Sequence, residues 1–325
     1  MHRFREKTFI PSILHCLIIA LGMLSALRVA ADDLLKINNG VAEVGIDRQK
    51  GGAITWLTWK GYSNNAVNIA DPGRLIQQSY YAGQMVDRTS QGQSKAWSPW
   101  SWNPIQGGGV GSWARITKST LKENRIYCET VPKLWDMPDE EAQARMRQWT
   151  AFEPGMSNVI VVKNEIICSR DADDPWGPAV VNHQEVPACY FTRNFQFVKS
   201  YIGRGEWRTE HQPPGPPWGR ANPPLNVMAC FEKGGQGIAV YSPAATLPWN
   251  FGPHGVQRTT KPSDGPCMHL APIDQAAIGP RSTYRYRYWL IVGDATAIEE
   301  RLETLIMRHS DESSELLDSA NRSFR

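Results

Sequence analysis

The sequence lacks most of what redox, metal or nucleic-acid chemistry needs. It has six cysteines, none in a C-x-x-C pair, so a thiol redox centre or zinc knuckle is unsupported. No H-E-x-x-H or comparable close ligand spacing occurs, so we expect no catalytic metal and no cofactor; a structural calcium stays open. Gly107-Gly108-Gly109-Val110-Gly111 follows no β/α pattern and is not a dinucleotide loop. No Ser/Gly-rich linker, charge run or repeat divides the chain. Helical periodicity is nearly absent before the C-terminus.

The small excess of positive charge, +3 from 35 Lys/Arg against 32 Asp/Glu, sits near the start. Arg3, Arg5 and Lys7 precede an apolar run from Ile10 to about Leu27, which closes on the small residues Val29-Ala30-Ala31. That order predicts a cleavable signal peptide over residues 1–31 and a secreted or periplasmic protein. The rival is an uncleaved anchor helix, which would need about 20 clean apolar residues. Removing the segment takes away four cations (Arg3, Arg5, Lys7, Arg28) and one anion (Glu6), leaving a formally neutral mature chain. Nothing electrostatic then speaks for a nucleic-acid partner, or for a membrane partner after signal cleavage. Residues 32–325 are expected to form one domain.

What is there reads as strand. Asn39-Gly40 between Leu35–Ile37 and Val41–Ile46 predicts a hairpin, and Ala53–Trp59 alternates after Gly51-Gly52. Further runs are Arg125–Val131, Gln148–Phe152, Asn158–Cys168, Phe195–Tyr201, Asn226–Phe231, Gly237–Ser242 and Tyr284–Val292. Tyr284-Arg285-Tyr286-Arg287-Tyr288 puts three tyrosines on one face and two arginines on the other. One helix is expected from near Ala295, with Ile298, Leu302, Leu305 and Ile306 as a single apolar stripe; Ser310–Arg325 is expected to fray. Many short strands and one late helix indicate a sandwich. Two long irregular segments, Ala82–Trp113 and Gly203–Pro224, interrupt them, and long loops inside one domain tend to be functional.

Gly51-Gly52-Ala53-Ile54, Asn68-Ile69-Ala70-Asp71 and Gly73-Arg74-Leu75-Ile76-Gln77 together resemble the opening of galactose-mutarotase-like domains. The resemblance implies an all-β fold, a large antiparallel β-supersandwich with carbohydrate on its concave face. That superfamily includes sugar epimerases and domains of glycoside hydrolases and polysaccharide lyases. Gln77–Tyr81, Trp102–Gly107 and His183–Ala188 resemble segments of secreted proteins with that architecture. The second histidine and late glutamate that mutarotases use for ring opening are not placed on this sequence, so mutarotation is not the expected activity.

Tryptophan is the strongest compositional signal, with all 13 in the mature chain. Sugar C–H faces pack on indoles while hydroxyls need planar polar partners, which makes Trp97, Trp100, Trp102, Asn103 and Gln106 a candidate binding loop. Core packing is the competing use. In Gly73–Tyr81, period two groups Arg74, Ile76, Gln78 and Tyr80 on one face and Leu75, Gln77, Ser79 and Tyr81 on the other. Arg74 there either holds a sugar carboxylate or pairs with Asp71. His183 and Glu185 share a strand face and form the best acid/base pair; a buried, hydrogen-bonded His183 is the plainer alternative. Tyr190 joins them only if Pro187 breaks the register. His211, His254 and His269 fall among prolines and glycines and read as loop residues.

The expected function is cleavage of a polysaccharide, by a lyase using His or Tyr with Arg or Asn, or by a glycosidase needing two carboxylates. Only Glu185 is marked out as an acid, which weakens the glycosidase. The alternative is a non-catalytic carbohydrate-binding or surface protein on the same fold.

Overall fold

The computed structural model describes residues 33–71, 73–109, 112–257, 259–261 and 264–318. The expected signal peptide, and the last seven residues of the tail, lie outside them. The described residues from Leu35 onward make one compact unit. Among the described residues no helix is long and apolar enough to cross a membrane.

Two antiparallel sheets carry the fold, as the all-β supersandwich requires. The larger, ten-stranded sheet runs Arg115–Lys122, Arg125–Val131, Ala144–Phe152, Val159–Cys168, Ser282–Asp294, Gln236–Tyr241, Val227–Phe231, Phe197–Gly203, Glu206–Thr209, with Glu315–Asp318 also beside Ser282–Asp294. The smaller, seven-stranded sheet runs Lys133–Leu134, Pro104–Ile105, Gln77–Ser79, Asn182–Phe191, Cys267–Ala276, Leu247–His254, Gly219–Ala221. A three-stranded sheet of Leu34–Asn38, Ala42–Asp47 and Ala53–Trp59 begins the described chain. Its first turn forms because the Asn39 side chain accepts from the amides of Val41 and Ala42.

Period-two alternation decides where each side chain goes. Tyr284, Tyr286, Tyr288, Leu290 and Val292 point into the core between the sheets, where they join Tyr80, Val186, Cys189, Phe191 and Leu270. Trp289 and Ile291, one step out of phase, point to the other face. There Ile298, Leu302 and Leu305 of the helix Ala295–His309 cover them. Asp294 caps that helix by accepting from the Ala297 amide. Arg285 pairs with Glu165 on the outward side, as the alternating Tyr/Arg run predicts.

The tail differs from expectation. Instead of fraying at once after Ser310, it adds the strand Glu315–Asp318, and Ser314 donates to Asp274 at 2.6 Å. Asp274, 1% exposed, also accepts from Tyr284 and Thr246, so its buried carboxylate is fully used. Five cysteines, Cys128, Cys168, Cys189, Cys230 and Cys267, are all buried and free.

Leu302→Ala is expected to lower unfolding stability by about 2–5 kcal/mol, because it opens a cavity against Trp289 and its neighbours. Met307→Ala, on the exposed side of the same helix, is expected to stay within about 0.5 kcal/mol. Urea titration of both checks which face of the helix is buried.

Candidate functional site

The site lies on the seven-stranded sheet, on the face turned away from the core. Gln77 and Ser79, Ile105, Glu185, Ala188, Tyr190 and His254 come from its strands, and they line an open cavity of about 160 Å³. Loops wall it: Gly73 and Arg74, Trp97 and Trp100, Trp135, and Pro216 with Trp218. Both long irregular segments therefore reach the cavity, the first with Trp97, Trp100 and Asn103, the second with Pro216 and Trp218.

A bulge makes the floor. Glu185 pairs with Ile273 but Cys189 pairs with Leu270, so the strand Asn182–Phe191 carries one extra residue around Pro187. The same slip occurs against Gln77–Ser79. Regular alternation would put Glu185 and Tyr190 on opposite faces; with the extra residue both face the cavity.

Arg74 is held by local structure. Gly73 adopts φ +76°, and a Cβ there would come within 2.7 Å of Gly108 O and 2.9 Å of the Trp135 ring. Gln77 ties this turn to the glycine loop by donating to Gly73 O and accepting from Gly107 N. The Arg74 guanidinium lies 5.1 Å from the Trp135 ring centroid. It makes no ion pair among the described residues; its link to Asp71 is the backbone bond from Arg74 N to Asp71 O. Trp135 packs edge-on against Trp97, which packs against Trp100, and Trp100 against Tyr81. The Trp100 indole donates to Asn103 Oδ1.

Behind Glu185 and Tyr190 stands His269, fully buried. Its ring stacks on Tyr190 at 4.4 Å and meets Trp218 at 4.2 Å. Glu185 Oε1 lies 3.4 Å from His269 Nε2, near but off the line of a hydrogen bond. Burial, with the Glu185 charge beside it, pushes the Tyr190 phenol well above its usual range, and Arg74 pulls against that. Tyr81 is raised by the same two causes. Burial, then Arg74, lowers His254 to about 4.

Of the sequence candidates, the structure brings Arg74, Trp100, Asn103, Glu185 and Tyr190 together at the cavity. His183 is exposed and lines an adjoining hollow that shares Tyr81, Glu185 and Trp218. Gln78, Tyr80, Trp102 and Gln106 are corrections: each is at most 1% exposed and turned into the core. Tyr80 donates to Gln78 and Gln106 donates to Gly52 O, so these polar groups satisfy one another or the backbone. Arg74 precedes the strand Gln77–Ser79, so strand alternation does not carry from it, and Gln77, Ser79 and Tyr81 share the cavity with it instead of Gln78 and Tyr80.

His254 and His269 are a second correction, since they sit on the strands Leu247–His254 and Cys267–Ala276 instead of loops. Pro248, Pro253 and Pro272 hid those strands; the slip in pairing between Leu247 and Asn250 relieves part of that conflict. The apolar runs Met268, Leu270 and Trp249, Phe251 were the available signal.

No protein-family model and no curated protein matches the chain. Solved structures do. One is a TPR-domain containing protein from Parabacteroides distasonis, with 9% identity over 80% of this chain and 47% of that one, TM-score 0.46. A second is a protein assigned as an aldose 1-epimerase from Klebsiella pneumoniae, with 11% identity over 86% and 84%, TM-score 0.45. A third is heparan sulfate lyase HepC from Pedobacter heparinus, with 10% identity over 78% and 33%, TM-score 0.38. The chain spans less than half the length of the first solved chains it matches. These are likenesses of fold alone.

Gly73→Ala is expected to cost about 1–2 kcal/mol through left-handed strain and to displace the Trp135 ring. A lower melting temperature together with an altered near-UV circular dichroism signal is the expected result. An unchanged near-UV signal would mean that the ring does not rest on this turn.

Proposed function

We propose that the chain is an exported lyase that cleaves an acidic, uronate-containing polysaccharide by β-elimination in this cavity. The observation that carries the reading is Arg74, a guanidinium on an indole face at the cavity wall with no anionic partner among the described residues. A sugar carboxylate supplies that partner through a bidentate contact, and the half-buried Trp97, Trp100, Trp135 and Trp218 give the wall indole surface for pyranose rings.

The charges on the cavity favour elimination over hydrolysis. Glu185 is the single carboxylate among its lining residues, whereas glycoside hydrolysis takes two flanking carboxyl groups. Elimination asks for a cation to hold the uronate carboxylate, a base for the proton at C5 and an acid for the leaving oxygen at C4. Arg74 is the cation, and its pairing with the carboxylate makes the C5 proton easier to remove. Glu185 accepts that proton. The C4–O bond breaks as the C4=C5 double bond forms, and the buried, protonated Tyr190 phenol donates to the departing oxygen. The bulge that puts Glu185 and Tyr190 on one face is therefore part of the mechanism. The segment 1–31, read as a signal, supports action outside the cytoplasm on a polymer too large to enter it.

The test is a panel of uronate and neutral polysaccharides, followed by the absorbance of unsaturated uronate ends. Uronate-only turnover is expected, falling about 10²–10⁴-fold in Tyr190→Phe and Glu185→Gln and at least about 10²-fold in Arg74→Ala. New reducing ends without that absorbance would assign hydrolysis. Binding at full affinity with no turnover would make the cleft a non-catalytic carbohydrate-binding surface.

A further inference from the structure

Beside the cavity, Asp71, His254 and Cys267 converge, and the reaction proposed above uses none of them. His254 ends one strand and Cys267 begins the next, and they are cross-strand partners, so their side chains lie next to each other. Asp71 reaches them from the turn that precedes Arg74. One donor atom from each of the three lies within 4.8 Å of the others. Two observations beyond proximity mark the place as built for a ligand. Asp71 is only 9% exposed, yet its Oδ2 is buried without a hydrogen-bond partner among the described residues. The same holds for His254 Nδ1. An unpaired buried carboxylate oxygen is costly, and a cation removes the cost.

We infer that Asp71, His254 and Cys267 form a three-ligand site for a zinc-class divalent cation at the wall of the cavity. A thiolate, an imidazole and a carboxylate are the donor set that borderline-soft cations prefer, and calcium or magnesium would reject the sulfur. Donors around one zinc ion stand roughly 3.3–3.8 Å apart, so small side-chain shifts close the observed spacing onto one ion. On binding, the Cys267 thiol releases its proton to solvent, and a carboxylate oxygen of Asp71 and a ring nitrogen of His254 each donate a lone pair. Thiolate and carboxylate then cancel the charge of the ion, which is why Arg74 can share the wall with it. A thiol nucleophile fits the geometry less well, because Cys267 Sγ donates to the backbone oxygen of His254 and not to its ring. His254 also lines the cavity, so an ion held by the three residues would sit at the cavity wall.

The experiment uses the full chain, stripped with a chelator, then dialysed separately against Zn²⁺ and Co²⁺. One ion per chain by native mass spectrometry is expected, with a near-UV thiolate-to-cobalt charge-transfer band in the cobalt form. Cys267→Ser is expected to lose the band, and Asp71→Asn to weaken zinc affinity by about tenfold or more; far-UV circular dichroism checks that both remain folded. No stoichiometric uptake by the unaltered chain, or uptake without the thiolate band, overturns the assignment. So does uptake that folded Cys267→Ser and Asp71→Asn leave unchanged. Because no glycan enters these measurements, a negative result bears on the cation alone and leaves the elimination reading to its own test.

Discussion

Between Glu185 and Cys189 the strand Asn182–Phe191 takes one residue more than the strands on either side of it. A pleated strand that keeps its phase must send residues five apart to opposite faces. The inserted residue cancels that rule once. Upstream of it Glu185 faces outward; downstream of it Phe191 faces the core while Tyr190 faces outward. The strand can therefore bury Val186, Cys189 and Phe191 between the sheets and still place a carboxylate and a phenol side by side. Because Pro187 lies inside the slip, its missing amide donor falls where the pairing is already interrupted.

The rest of the molecule serves to keep that strand fixed. Its inner face is packed against the tyrosine ladder of the larger sheet, and the ladder is in turn held by Asp274, which collects hydroxyls from Tyr284, Thr246 and Ser314. The helix Ala295–His309 seals the far side of the larger sheet. With both layers rigid, the walls of the cavity can be made of loops. Gly73, Gln77 and Gly107 are knitted together, and Trp97, Trp100 and Trp135 form an edge-to-face chain with Arg74 resting at its end. A guanidinium so placed is presented rather than neutralised.

Much of the fold was legible because alternation leaves a direct trace. Arg125–Val131 and the Tyr/Arg run are found where the pattern put them, and the helix starts at Ala295 as its apolar stripe required. The site was legible in part and for a different reason: aromatic and polar residues crowded into irregular segments. What misled was phase. Tyr80 and Tyr81 are neighbours with equal chemistry, and with Arg74 outside the strand its position does not tell which one meets the cavity. Likewise Trp102 sits one strand step from Asn103, yet it is buried against Arg170 while Asn103 lines the cavity. The closeness of His254 to Cys267, and of His269 to Tyr190, is a product of strand pairing, and strands punctuated by proline give no period from which pairing can be read.

The five buried, unpaired thiols bear on what holds the described fold together. Nothing among the described residues is cross-linked, so the fold is complete without an oxidant and without an isomerase to sort partners. Stability comes from the two packed layers and not from cross-links among the described residues. With no sulfur–sulfur bond among the described residues to break, a mild reductant leaves this architecture intact.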